Sequence, residues 1–170
     1  MRDPGSLTAA RGWIPAVLLV AAVVSSCSGG GNSPTSPQGS GLMLSSATIA
    51  IGGTVVNGQT ISRAHPMGSS THFEARLVDD RGAAPGHQAQ VGFNRPQGMG
   101  MMGGSFTLYD DGTHGDRTPG DGIYSYDDMD GQYGCSRADL PMGAYNYDFF
   151  GMDESGHQTN HMTVMVTVGR

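Results

Sequence analysis

Polarity alternates along this chain with a period of two residues, in short runs separated by glycine-rich turns. Phe73, Ala75 and Leu77 alternate with the charged Glu74 and Arg76. Tyr145, Tyr147 and Phe149 alternate with Asn146 and Asp148. Met162, Val164, Val166 and Val168 alternate with Thr163 and Thr167. A strand points successive side chains to opposite faces, so each run sets one face on a core and the other in water. From Gly41 onward, leucines at helical spacing are absent, and glycines interrupt every long window. The pattern predicts strands at 43–51, 54–62, 71–79, 88–94, 105–109, 122–127, 143–150 and 160–168.

Turn signals separate these runs. Asn57-Gly58 is the pair that suits a tight hairpin. Asp79-Asp80-Arg81-Gly82 and Asp153-Glu154-Ser155-Gly156 are acidic turns that end in glycine. About seven or eight short strands at this spacing predict an all-β fold, an immunoglobulin-like antiparallel β-sandwich over residues 41–170, with a barrel as the alternative. The size is that of one domain.

Residues 1–27 read as an export signal. Arg2 and Arg11 lead into an apolar run from Trp13 to Val24. That run falls short of the ~20 residues a membrane-spanning helix needs and has the length of a signal-peptide core. Val24-Ser25-Ser26-Cys27 resembles the lipobox of bacterial lipoproteins, with valine and serine as tolerated variants. The resemblance implies that Cys27 is diacylated and becomes the mature N-terminus. Ser28, where a retained lipoprotein would carry aspartate, implies the outer membrane in a cell that has one. Without the lipid, the same segment is a plain secretory signal with an incidental cysteine. Residues 28–40, rich in Gly, Ser and Pro, read as a flexible tether.

Charge and cysteine content narrow the function. The net charge is −6, with no lysine and nine dispersed arginines, so a nucleic-acid patch is not expected. Acidic residues gather between Asp110 and Glu154, which favours cations over phosphates. If Cys27 carries lipid, Cys135 has no disulfide partner.

The densest chemistry lies at 110–124, which holds four aspartates and four glycines. Gly112, Gly115, Gly120 and Gly122 break helices, and Pro119 lacks an amide hydrogen. Asp111, Asp116 and Asp121 recur every five residues, and Asp110 adjoins them. Calcium takes six to eight hard oxygen ligands at about 2.3–2.6 Å, and glycines let a loop turn oxygens inward. Asp110, Asp111, Asp116 and Asp121 are therefore candidate calcium ligands. The spacing is not that of an EF-hand. A metal-free loop, in which each aspartate caps its own turn, fits the same residues.

The run from Leu108 to Asp116, followed by Gly120-Asp121-Gly122-Ile123-Tyr124, resembles a segment of the immunoglobulin-like modules called choice-of-anchor domains, found in bacterial surface and exported proteins. There an L-x-D-D-G-x-x-G-D stretch precedes G-D-G-[VI]-Y. Gly143-Ala144-Tyr145 and the turn from Asp153 to Gly156 match the G-x-Y strand and D-x-x-G turn that follow. The resemblance covers most of residues 71–168 and implies a sandwich with a non-catalytic role. Residues 129–140, with Cys135, depart from that pattern and are expected to form a mobile surface excursion.

Eleven methionines and six histidines raise copper as a second metal, since thioether and imidazole ligands suit Cu(I). Met99, Met101 and Met102 stand in one glycine-rich stretch, with His65, Met67, Met142, Met152, His157, His161 and Met162 elsewhere. Methionine also fills irregular cores, which accounts for Met162 on an apolar face. Cys135 has no histidine nearby in sequence, and Ser105 and Ser136 sit in no nucleophile motif. The expectation is a lipid-anchored, non-catalytic binding or structural module of the cell envelope, at the outer membrane or periplasmic face of a diderm cell. It touches the membrane through its lipid, has an unassigned envelope partner and binds no nucleic acid. The alternative is a periplasmic copper-binding or copper-handling protein.

Overall fold

The alternating runs pair as strands because each has one face that must leave water. The structure, a computed structural model, describes residues 41–63, 69–80, 82–96, 103–137 and 139–170. The signal at 1–27, Cys27, the tether at 28–40, His65, Met67 and the Met99 to Met102 stretch lie outside these residues. The strands are β1 (Met43–Ile51), β2 (Thr54–Val55), β3 (Thr60–Ser62), β4 (Thr71–Asp79), β5 (Gly82–Ala83), β6 (Gln88–Asn94), β7 (Gly103–Leu108), β8 (Ile123–Asp128), β9 (Gly143–Met152) and β10 (Met162–Gly169). There is no helix among the described residues, so none there is long and apolar enough to cross a membrane.

Two sheets face each other. In the first, β2, β1 and β4 are neighbours, and β5 and β8 both pair with β4. The second runs β3-β10-β9-β6-β7. All pairs are antiparallel except β3 with β10, which is parallel. β1, β4 and β8 take the A, B and E places of an immunoglobulin-like sandwich, and β6, β9 and β10 take C, F and G. The protein is thus an all-β, immunoglobulin-like sandwich. Three of the ten strands are only two or three residues long.

The core follows the alternation. Phe73, Leu77, Tyr145 and Phe149 have no exposed surface, and Ala75 and Tyr147 have almost none. Phe73 meets Phe106 edge-on at 4.9 Å between ring centres and Tyr147 at 5.2 Å. Burying a side chain such as Phe73 contributes about 1.5–3 kcal/mol, so these central rings carry much of the bond between the sheets.

Two expectations are corrected. The run 54–62 is not one strand, and Asn57-Gly58 does not close a hairpin. Asn57 accepts the Ile49 N–H at 2.8 Å and donates to the Ala47 carbonyl at 2.9 Å, standing in for a strand against β1. Gly58 donates its N–H to Met165 of β10 at 2.8 Å. The turn therefore carries the chain from one sheet to the other. A side-chain amide carries both a donor and an acceptor, so Asn57 alone satisfies one N–H and one carbonyl of β1 where the β1–β2 ladder ends.

Residues 129–140 are not a loose excursion. Leu140 is fully buried, and Cys135 is 3% exposed. Asp128, 1% exposed, accepts N–H groups from Gln132 at 2.9 Å, Tyr133 at 3.0 Å and Gly134 at 2.6 Å. Thr71 donates to the Ser136 hydroxyl at 3.0 Å. A carboxylate removed from water needs such donors, and this segment is wrapped around one.

Candidate metal centre

The aspartate loop connects β7 of one sheet to β8 of the other. Tyr109 and Ser125 close its base with reciprocal N–H to carbonyl bonds of 2.9 and 2.8 Å. The loop re-enters the first sheet at Gly122, whose φ is +78°. A Cβ there would stand 2.9 Å from the Ala84 nitrogen and 3.0 Å from the Leu77 oxygen. Only glycine passes between β4 and β5 at that point.

Within this frame three of the four predicted aspartates converge. One carboxylate oxygen from each of Asp110, Asp116 and Asp121 lies within 4.8 Å of the others. Two oxygens on opposite sides of a calcium ion stand about 4.6–5.2 Å apart, so the trio fits that ion. Asp110 Oδ1 accepts the N–H of Gly120 at 2.8 Å and of Asp121 at 3.1 Å, and its Oδ2 accepts Gly122 N–H at 3.0 Å. Asp116 accepts Gly112 N–H at 2.7 Å and Thr118 N–H at 3.1 Å. Asp121 accepts Ile123 N–H at 2.9 Å. Three carboxylates offer roughly twelve acceptor positions, and these amides use about half of them. The rest remain for a cation.

Asp111 is not in that group. Its Oδ1 accepts the Thr113 N–H at 2.9 Å and the Thr113 hydroxyl at 2.5 Å. It is the metal-free turn cap of the alternative reading, while its neighbours are the cluster. His114 adopts φ +54°, a left-handed conformation rare outside glycine. Its ring is stacked 4.0 Å from that of Tyr109.

The electrostatics follow burial and hydrogen bonding. Burial raises the Asp110 carboxyl above its ordinary value, and the Asp116 charge adds to that, against the pull of three amides. The Thr113 hydroxyl holds Asp111 below its ordinary value. A cation among the trio would relieve the repulsion between Asp110 and Asp116.

Of the copper candidates, His65, Met67, Met99, Met101 and Met102 lie outside the described residues, and Met142, Met152, His157, His161 and Met162 lie within them. Met142 is exposed, just before β9. His157 pairs with Asp153 at 3.0 Å, and His161 with Asp148 at 2.6 Å. Met162 packs against the core.

A group not singled out in the sequence stands beside the loop. A cleft of about 730 Å³ opens between residues 115–118 and the outer face of β1, β4 and β8. In it, His72 Nδ1 is 2.7 Å from Asp127 Oδ1, and Nε2 is 3.7 Å from Glu74 Oε2. The alternation of β4 places His72 and Glu74 on the outer face. Their meeting with Asp127 depends on the long-range β4–β8 register, in which His72 faces Asp127. A hydrolytic triad needs a hydroxyl at the second imidazole nitrogen, and a carboxylate stands there instead. Burial pushes the Cys135 thiol up to about 11, away from the thiolate a nucleophile requires.

No protein-family model matches the chain, and no curated protein shows significant similarity to it.

Proposed function

We propose that this chain is a lipid-anchored, non-catalytic binding or structural module of the cell envelope whose aspartate loop takes calcium. The observation that carries the metal reading is the convergence of Asp110, Asp116 and Asp121 within 4.8 Å. Those carboxylates would hold the ion, which supplies positive charge to a strained, glycine-rich connection and stiffens it. Ion binding to the folded state alone adds stability by mass action, about 2.7 kcal/mol at a hundred times the dissociation constant.

The envelope reading rests on the lipobox-like residues up to Cys27, on the tether behind them and on the resemblance to choice-of-anchor modules. In it Cys27 is the lipidated residue, residues 28–40 are the spacer and residues 41–170 are the sandwich. The partner is an envelope protein or polymer.

Thermal melts of the sandwich in millimolar calcium and in chelator test the metal reading. A higher midpoint with calcium, abolished in Asp116→Asn, is the expected result; identical midpoints end it. Labelling of expressing cells with a fatty-acid analogue, lost in Cys27→Ser, tests the anchor.

A further inference from the structure

We infer that β7 is an association edge, which pairs antiparallel with β7 of a second copy of this chain and joins the two second sheets into one. Tyr109, just past β7, turns its N–H and carbonyl to Ser125 of β8. Backbone groups of successive strand residues point to opposite sides. Leu108, Phe106 and Gly104 therefore face β6, and Thr107, Ser105 and Gly103 face away from it. β9 gives the same answer. Gly151 commits both its backbone groups to Thr159, on the side away from β6, so Ala89, opposite it on β6, bonds to Leu108 of β7 instead.

The outward N–H and carbonyl groups of Gly103, Ser105 and Thr107 have no partner among the described residues, and all three residues are exposed. The other edges are capped or short. β1 is closed by Asn57 at Ala47 and Ile49, and by Asn160, which accepts the Leu44 N–H at 2.9 Å and donates to its carbonyl at 3.0 Å. β8 is closed by Tyr109 and by the His114 carbonyl, which accepts the Asp127 N–H at 2.7 Å. On β10, Met165 and Thr167 are taken by Gly58 and Gln59. β2, β3 and β5 are two or three residues long. Proteins blunt a longer edge with lysine, proline, a bulge or a covering segment, and the six residues of β7 hold none of these.

The occupant follows from the edge itself. A copy of β7 laid antiparallel about Ser105 sets Ser105 against Ser105, and Gly103 against Thr107 in both directions. Every outward N–H and carbonyl of these residues is then bonded, and a two-fold axis closes the pair. On the solvent face a hydroxyl meets a hydroxyl and a glycine meets a threonine. On the inner face Phe106 of each copy stands opposite Gly104 of the other, which has no side chain to obstruct it. The chain carries a charge of −6, yet from Pro96 to Tyr109 no residue is charged, so no like charges meet along the contact.

The test is light scattering of the full chain in mild detergent, with the detergent mass subtracted, over serial dilution, together with amide exchange. The expected result is a dimer that dissociates on dilution, with exchange at Ser105 and Thr107 about tenfold slower in the dimer than in the dilute monomer. Thr107→Pro removes one outward N–H, and Ser105→Lys sets two ammonium groups against each other. Each is expected to raise the dissociation concentration about tenfold, while Ser155→Lys, in the exposed turn between β9 and β10, leaves it unchanged. Melting of Ser105→Lys at monomeric dilution, expected to match the parent, separates lost association from lost folding. A monomer at every concentration, a dimer that Ser105→Lys leaves intact, equal loosening by Ser155→Lys, or a dimer whose Ser105 and Thr107 amides exchange freely overturns the inference.

Discussion

Asp110 and Gly122 stand twelve residues apart in sequence, yet the Asp110 Oδ2 accepts the Gly122 N–H at 3.0 Å. The same carboxylate takes Gly120 and Asp121, so one side chain gathers the returning limb of the loop. Gly122 is also the residue that slips between β4 and β5, which couples the loop to the first sheet. The geometry of the loop is held by a carboxylate at one end and a glycine at the other.

Replacing Asp110 removes three acceptances at once. Hydrogen bonds to charged groups contribute about 1.5–3 kcal/mol each when buried, less when partly solvated. Asp110→Ala is expected to lower unfolding free energy by about 1–3 kcal/mol in denaturant titrations. Amide exchange should accelerate at Gly120, Asp121 and Gly122. Asp110→Asn should fall between, because its Oδ1 still accepts while its amide nitrogen faces the Gly122 N–H. Exchange rates unchanged in Asp110→Ala would contradict this account.

Gly115 and Gly120 offer a matched pair. Both have positive φ, +97° and +77°. A Cβ at Gly115 would lie 2.6 Å from the Asp127 carboxyl carbon, whereas at Gly120 nothing lies within 4 Å. Gly120→Ala carries only the left-handed strain of about 1–2 kcal/mol. Gly115→Ala must also displace Asp127 from His72 and is expected to cost about 2–4 kcal/mol. Equal losses in a chemical melt would show that the Asp127 contact is immaterial.

Asp128 makes an acid-side prediction. Burial raises its carboxyl above the ordinary value, opposed by the amides of Gly134, Tyr133 and Gln132. A group raised in the folded state costs stability when charged. Between its ordinary and raised values the folded domain binds more protons than the unfolded chain, so this cost is relieved as pH falls through that window and is fully present above it. Asp128→Asn cannot titrate there. The stability gap between parent and Asp128→Asn should therefore widen from pH 7 toward pH 4; a constant gap would refute the shift.

Cys135 is predicted to be chemically silent. It is 3% exposed, and its thiol is pushed up to about 11 by burial, with the Tyr147 hydrogen bond opposing. Thiol reagents at pH 8 should modify it only as fast as the domain unfolds. Labelling that outruns unfolding measured by fluorescence would mean that residues 129–140 open locally.

The fold was legible where a single physical rule governs each residue. A strand with one wet face must alternate, so Phe73 to Leu77 and Tyr145 to Phe149 declared their buried sides in advance. Density of aspartate and glycine likewise marked 110–121 as an oxygen-rich loop between strands, and only the structure shows it ordered. Asn57-Gly58 misled because the local preference for a hairpin yielded to hydrogen bonds with two different sheets. Residues 129–140 misled because their anchor, Asp128, has meaning only once β8 is buried against β4.

The sequence by itself determined the all-β character, the inward faces of the strands and the segment where carboxylates concentrate, since periodicity and turn chemistry act between near neighbours. The tertiary structure alone decided which three aspartates meet, that Asp111 caps its own turn, and that His72 lies between Asp127 and Glu74. The last of these arises from pairing between strands about fifty residues apart, whereas the aspartates are sorted inside one loop by where its returning limb folds back onto Asp110. Register over that distance is set by how two faces pack, a cooperative outcome that no local run of residues encodes.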